Sequence, residues 1–434
     1  MSRPKFHDVQ PPKEKAFLFG VVLPREPERY AEPLDELKGL AEAADAEVVG
    51  QLIQKRERIE GATFLGKGKA EELTELAKAA EASLLICDSD LSPSQGRNLE
   101  KLSGLRVVDR SELILDIFAR RARTHQSRVQ VELAQLQYTL PRLRRMWTHL
   151  ERIRGGIGTR GPGEKQIETD RRIIRRKIVD LKRVLADIEQ RKLREVESRS
   201  DVFTICLVGY TNAGKSTLMN ALTGTETYVA DQLFATLDTK TRIWTVTEGV
   251  RVLLSDTVGF VEKLPHHLVA SFHATLEEAT HADLLFHVID ASHPDAIHQR
   301  TAVQEVLEQL GAGDIPQLEI FNKVDLVENF AELGVLARKE VPHVRVSAQT
   351  KQGIQELKEW VSRYVDGFRE DVRIRFDSGD GRVYPVVRNW AEIIDQKYED
   401  QEVELNVRIL PRELGALRRE LRGHKLDIYP PGEA

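Results

Sequence analysis

The stretch Val202-Phe203-Thr204-Ile205-Cys206-Leu207-Val208 runs directly into Gly209-Tyr210-Thr211-Asn212-Ala213-Gly214-Lys215-Ser216, and then into Thr217-Leu218-Met219-Asn220-Ala221-Leu222. The first block is apolar but for one threonine and reads as a short buried strand; the last has helical composition. The eight residues between them have the spacing GxxxxGK[ST], in the strand–loop–helix order that gives the spacing its meaning. Glycines at both ends let backbone N–H groups turn inward around phosphate, and the following helix presents its N-terminus to the same negative charge. Residues 209–217 are therefore the expected phosphate-binding set. Lys215 should reach the β- and γ-phosphates of a nucleotide, and Ser216 should ligate Mg²⁺.

Working outward from that loop, a β-rich run at 250–254 ends near Asp256-Thr257-Val258-Gly259-Phe260, about 40 residues downstream. An acid at a strand end here is suited to holding Mg²⁺ through water, with the Gly259 N–H touching the γ-phosphate. A further strand-like run at 317–321 leads into Asn322-Lys323-Val324-Asp325. Guanine offers two donors, N1–H and the 2-amino group, to a carboxylate, whereas adenine offers neither. Asp325 can thus select guanine by a charge-assisted bidentate contact, and the wrong base would leave polar groups unpaired. Asn322 is expected to support the loop and the base edge, the Lys323 stem to cover the base, and Ser347-Ala348 to close the base pocket through backbone groups.

Residues 202–365 resemble a translation-factor-class GTPase domain. The resemblance assigns 209–216 to its phosphate loop, 256–259 to its γ-phosphate sensor and 322–325 to its guanine motif. The first switch should hold a threonine approaching Mg²⁺ and the γ-phosphate. Phe234-Ala235-Thr236-Leu237-Asp238 is the matching segment, which gives Phe234 and Thr236 as nucleotide-site residues; Thr239 and Thr241 compete for the threonine role. Lys215, Thr236 and Gly259 form the expected catalytic set. Many GTPases place Gln after the sensor glycine to orient the attacking water. Phe260 stands there instead and cannot polarise water, so hydrolysis should be slow until a partner completes the site. Asn212 matches a position that coordinates K⁺ in related GTPases, where the ion supplies positive charge; the alternative is a loop-capping Asn.

The 434 residues suggest two to four domains. Alternating strands and helices from residue 16 to 108 predict a small α/β domain ending near Arg110. Helix-favouring composition follows from 112 to 154, and helical spacing resumes near Glu164 and runs to about 198. Between them, residues 155–163 hold five glycines and a proline, which no regular helix accommodates. Two long helices joined by a basic loop form a hairpin. The expected domains are 1–110, 111–200, 201–366 and 367–434, the last a small α+β unit with strands at 372–376 and 402–410. The fold class is α/β: a P-loop GTPase domain preceded by a small α/β domain and a helical hairpin.

The net charge of −5 names no partner, but its distribution does: residues 120–195 carry 21 Lys/Arg against nine Asp/Glu. An acidic chain with one strongly basic stretch points to a local contact with a polyanion, against the plainer reading of a solvated helix face. Cys87 and Cys206 lie in apolar strand-like runs without CxxC spacing, which does not suggest a zinc site or a disulfide framework and fits a reducing compartment. No signal-peptide pattern opens the chain, and no apolar run approaches the roughly 18 residues of a membrane span. A soluble, monomeric, cytoplasmic protein is the expectation.

The segment Gly155-Gly156-Ile157-Gly158-Thr159-Arg160-Gly161-Pro162-Gly163-Glu164-Lys165-Gln166-Ile167-Glu168-Thr169-Asp170-Arg171-Arg172 resembles the glycine-rich linker of the HflX family of ribosome-associated GTPases, which generic GTPases lack. The domain order fits the same family. The resemblance implies binding to the large ribosomal subunit and its rRNA, GTP-dependent splitting of 70S ribosomes, stalled ones under stress among them, and release on hydrolysis. It also leaves room for peripheral membrane association. Arg142, Arg144, Arg145, Arg152, Arg154, Arg160, Arg171 and Arg172 are the candidate rRNA contacts, with salt-sensitive affinity. Trp147 either stacks on a base or packs the hairpin. Gly66-Lys67-Gly68-Lys69 is a second basic loop, an RNA contact or an ordinary solvated turn. The competing function is an ATP-dependent RNA helicase acting through the first domain, which no tandem helicase motif supports.

Overall fold

The computed structural model describes residues 13–24, 32–146, 162–198, 202–224, 233–234, 240–247, 249–262, 278–328, 334, 336–337, 341–399 and 401–429. The chain divides into two compact units, the first made of Met1–Leu185 with Gln232–Phe234 and Lys263–Ser271, the second of the rest.

In the first unit, β1 (Lys15–Val22), β2 (Glu47–Lys55), β3 (Leu84–Cys87) and β4 (Arg106–Val108) form a parallel sheet in the order β2-β1-β3-β4. The connections are α1 (Asp35–Ala43), α2 (Lys67–Ala79) and α3 (Pro93–Ser103). β1 and β3 are buried along nearly their whole length, as strands covered by helices on both faces must be. α3 starts where it does because Ser92 and Gln95 form a reciprocal cap, with Pro93 at the first helical position.

The helix-favouring stretch from 112 is not continuous. α4 (Arg110–Arg121) is capped by Asp109, which accepts from Glu112 N at 2.9 Å. It ends at Ala122, whose backbone is extended. Thr124 Oγ1 then accepts from Ser127 N at 3.1 Å and restarts the chain as α5 (His125–Met146). α4 also belongs with the first sheet rather than with a separate hairpin: the Arg110 guanidinium is buried and donates to Glu36 at 2.7 Å and Asp88 at 2.9 Å. The boundary expected near residue 110 thus falls one helix early.

α6 (Pro162–Ser198) packs along α5 through Val129, Leu133, Ile178, Leu181 and Leu185, with Lys177 paired to Glu132. This is the expected hairpin. α6 begins at Pro162, so Gly163 falls inside its first turn and the connecting segment is shorter than expected. Proline suits that first position, where its missing N–H would have no helical partner. Residues 155–161 lie outside the described residues.

The second unit is built on a six-stranded sheet, β10-β9-β8-β5-β7-β6. It comprises β5 (Phe203–Gly209), β6 (Lys240–Thr247), β7 (Val250–Asp256), β8 (Leu284–Asp290), β9 (Gln317–Asn322) and β10 (His343–Arg345). All neighbours are parallel except β6 and β7. Helices α7 (Lys215–Thr223), α8 (Ala296–Gln309) and α9 (Ile354–Asp366) accompany it. One apolar core runs from Phe203 and Ile205 through Phe286 and Ile320 to Val361. The carboxyl ends of β5, β7, β8 and β9 carry Gly209, Asp256, Asp290 and Asn322, the usual place for ligands in an open parallel sheet.

The tail is α+β: an antiparallel sheet β12-β13-β11-β14, from β11 (Glu370–Asp377), β12 (Glu392–Glu399), β13 (Glu402–Ile409) and β14 (Leu426–Tyr429), with α10 (Val383–Trp390) and α11 (Pro411–Glu420). It is tied to the GTPase sheet at the end away from the phosphate loop. Arg412 donates twice to Asp283, at 2.9 Å each, and Asp283 in turn accepts from Thr204 N. The buried Arg369 donates to Gly249 O and Arg408 O.

Candidate nucleotide site

The phosphate loop folds as its glycines require. Gly209 has φ of 151° and a β-carbon there would lie 2.2 Å from the Val288 carbonyl oxygen; Gly214 has φ of 91° and would place one 2.3 Å from Asn322 Nδ2. Only glycine fits either position. Asn212, at φ 62°, is exposed at the crest of the loop. Lys215 curls back, donating to the carbonyls of Gly209 at 2.9 Å and Tyr210 at 2.7 Å. Burial pulls its ammonium down to about 8, against the opposing pull of Asp256, because low-dielectric surroundings disfavour the charged form.

Ser216 Oγ donates to Asp256 Oδ2 at 2.6 Å. The two residues assigned to one magnesium ion thus already touch, and a hydroxyl beside a buried carboxylate is the hard oxygen set that Mg²⁺ takes. Gly259 lies against the loop: a β-carbon on it would be 2.8 Å from Thr211 Cα and Cγ2 and 3.0 Å from Lys215 Nζ. The loop and the sensor are also paired through their backbones. Phe260 N donates to Gly209 O at 3.1 Å, and Thr211 N donates to Phe260 O at 2.7 Å. The Phe260 ring is buried. Tyr210 Oη accepts from Glu262 N at 2.8 Å, a contact the sequence reading missed and for which no motif gives a signal.

At the base end, Asn322 is buried and bridges two loops. Its Nδ2 donates to Ala213 O at 2.8 Å and its Oδ1 accepts from Ala348 N at 3.0 Å. Ser347 is buried and its Oγ accepts from Thr350 N. Lys323 has φ of 61° and pairs with Asp290 at 2.7 Å. Asp290 went unread in the sequence, although an acid at the end of the apolar run 284–290 was the available signal. Asp325 is exposed, free of the burial that would hinder a ligand from reaching it.

Other expected residues sit differently. Thr236 and Thr239 lie outside the described residues, and Thr241 shares a hydrogen bond with Ser255 across β6 and β7. Phe234 is grouped with the first unit, where its ring meets Phe118 edge-on at 4.6 Å. Arg142 is engaged internally: it donates to Asp109 at 3.0 Å and Leu91 O at 2.8 Å, and its guanidinium lies 3.7 Å over the Tyr138 ring. Its charge thus already answers a buried carboxylate. Arg172 is exposed on α6 and Arg171 half-buried. Arg152, Arg154, Arg160 and Trp147 lie outside the described residues, as do the side chains of Arg144 and Arg145.

Three family descriptions match in succession: "GTP-binding GTPase N-terminal" over residues 31–119, "GTP-binding GTPase Middle Region" over 121–199 and "50S ribosome-binding GTPase" over 204–323. The GTPase HflX of Caldanaerobacter subterraneus subsp. tengcongensis is 42% identical over 399 residues, covering 92% of this chain and 91% of the relative. The chain belongs to the HflX family of GTPases. The Escherichia coli HflX is 44% identical, over 87% of this chain and 90% of its own length. A solved structure titled as a complex of SsGBP and GDP is 25% identical, covering 81% of this chain and 98% of that one, with a TM-score of 0.46. As an HflX-family member, this chain is a GTPase that turns GTP into GDP and phosphate. Among the described residues, no helix is long and apolar enough to cross a membrane.

Proposed function

We propose that this GTPase binds the large ribosomal subunit through its basic hairpin, splits ribosomes in its GTP-bound state and leaves on hydrolysis. The observation that carries the reading is the middle-region match at 121–199, the same stretch that holds the chain's excess of Lys and Arg. A positive surface of this kind neutralises rRNA phosphates and loses affinity steeply with salt. Arg144, Arg145, Arg152, Arg154, Arg160, Arg171 and Arg172 are the residues proposed to make those contacts. Rescue of stalled ribosomes under stress and a cytoplasmic location follow from the same reading.

Within the site, Ser216 and Thr236 would hold Mg²⁺ directly and Asp256 through water. When bound, the ion supplies positive charge at the β- and γ-phosphates. Lys215, released from the Gly209 and Tyr210 carbonyls, would bind the same phosphates. The amide of Asn212 would hold K⁺ at the open crest of the loop. Asp325 would read guanine, with Asn322, Lys323, Ser347 and Ala348 shaping the pocket around it and Phe234 flanking the first switch. Phe260 is buried and fixed by two backbone hydrogen bonds, which supports slow hydrolysis by the isolated protein and stimulation by the ribosome.

The test is multiple-turnover GTP hydrolysis with and without purified large subunits, for the parent and for Lys215→Ala. Stimulation of the parent, lost in the variant, is expected. An unchanged rate with subunits present would remove the ribosome from the account.

A further inference from the structure

Phe260 leaves the water-orienting role empty, and the phosphate loop holds a polar group with nothing to do. Thr211 is only 6% exposed, and its hydroxyl has no hydrogen-bond partner among the described residues. Buried hydroxyls are nearly always paired, so an unpaired one beside a ligand site marks where the ligand is to supply the partner.

The rest of Thr211 is held firmly. Its N–H donates to Phe260 O at 2.7 Å. Its Cα and Cγ2 crowd the space above Gly259, and Lys215 Nζ borders the same space at 3.0 Å. The backbone and methyl of Thr211 therefore pack directly against the sensor glycine, next to Lys215. Gly259 is the residue expected to meet the γ-phosphate, so Thr211 stands beside the place the terminal phosphate would take. Moving Phe260 beside it would require breaking both backbone bonds that pair it with the loop, and its ring would still offer no hydrogen bond.

We propose that the Thr211 hydroxyl is a catalytic residue of GTP hydrolysis, holding the attacking water against the terminal phosphate. It accepts a hydrogen bond from the water and donates its own to a γ-phosphate oxygen, keeping its proton throughout. The water oxygen forms the new bond to phosphorus, and the bond to the β,γ-bridging oxygen breaks with its electron pair left on GDP. The proton lost by the water passes to a phosphate oxygen. The hydroxyl supplies orientation and one hydrogen bond, the contribution that elsewhere comes from the glutamine.

This proposal rests on the GTPase activity alone, so its test uses the full-length protein without ribosomes. Single-turnover hydrolysis with enzyme in excess is measured for Thr211→Val, which keeps the shape and removes the hydroxyl, and for Thr211→Ser, which keeps the hydroxyl. Affinities for GDP and for a non-hydrolysable GTP analogue are measured in parallel. Removing one positioned donor from a site of this kind lowers kcat by about 10²–10³-fold, and a site that is slow to begin with should lose at least about tenfold. The expected result is that loss in Thr211→Val, with GDP affinity within about twofold of the parent, and recovery of most of the rate in Thr211→Ser. A parental rate in Thr211→Val overturns the proposal. So does a parallel loss of rate and GDP affinity that serine fails to restore, which would make the residue structural.

Discussion

Asn322 is the residue on which the two ends of the nucleotide site depend together, and Asn322→Ala measures that dependence. The side chain is buried, donating to Ala213 O at 2.8 Å and accepting from Ala348 N at 3.0 Å. Alanine removes both bonds and leaves a carbonyl and an N–H buried without partners. Each orphaned group costs about 1–3 kcal/mol, so the site should lose about 2–6 kcal/mol of preorganisation, least if water enters the gap. Even the low end corresponds to roughly a thirtyfold loss of GDP affinity. Asn322→Asp gives an internal control. It retains the acceptor for Ala348 N, loses the donor to Ala213 O and sets a carboxylate against that carbonyl, so its defect should also be large. The assay is titration with a fluorescent GDP derivative, with urea unfolding of each variant alongside. GDP affinity within about threefold of the parent in Asn322→Ala, with unchanged unfolding, would refute the bridging role.

Three further outcomes follow from the structure. Lys215 sits at about 8 without nucleotide, and phosphate should raise it, so binding takes up a proton above that pH. GDP affinity should weaken by about fivefold between pH 8 and 9 and by nearly tenfold per unit above that, and calorimetry in buffers of different ionisation enthalpy would show no uptake if the idea is wrong. Asp325→Asn should shift preference from GTP to xanthosine triphosphate, because the carboxylate's match to N1–H is inverted; unchanged GTP preference in competition would remove Asp325 as the reader of the base. Glu413, at the joint between the tail and the GTPase sheet, is pushed by burial up to about 7. A carboxyl raised on folding contributes most below its unfolded value of 4.5, and that contribution is lost as pH rises to about 7. Glu413→Gln should therefore raise the thermal midpoint at pH 8 more than at pH 5, and equal shifts at both would contradict this.

The phosphate loop was readable because its glycine spacing is a local requirement: no other residue fits at Gly209 or Gly214. What sequence hides is where a polar side chain finds its partner. Arg142 has the composition of a phosphate contact, yet it neutralises Asp109, whose carboxyl burial pushes up against the opposing hydrogen bonds and the Arg142 charge. Lys323 pairs with Asp290 from a different strand. The stop after α4 turns on one threonine restarting the helix at 124, a capping signal inside otherwise helix-favouring composition. β12, Glu-Ile-Ile-Asp-Gln-Lys-Tyr-Glu, lacks the alternation of an edge strand with one covered face and was not readable as a strand at all. It is exposed over most of its length and pairs with β13 through its backbone.

The central claim is that the GTP-bound protein separates ribosomal subunits. Sedimentation of intact 70S ribosomes through a sucrose gradient, with the protein and either GTP, a non-hydrolysable GTP analogue or GDP, tests it most directly. The account predicts free subunits with GTP, free subunits with the protein retained on the large one with the analogue, and intact ribosomes with GDP. Intact ribosomes under all three conditions, or equal splitting with GDP, would contradict it.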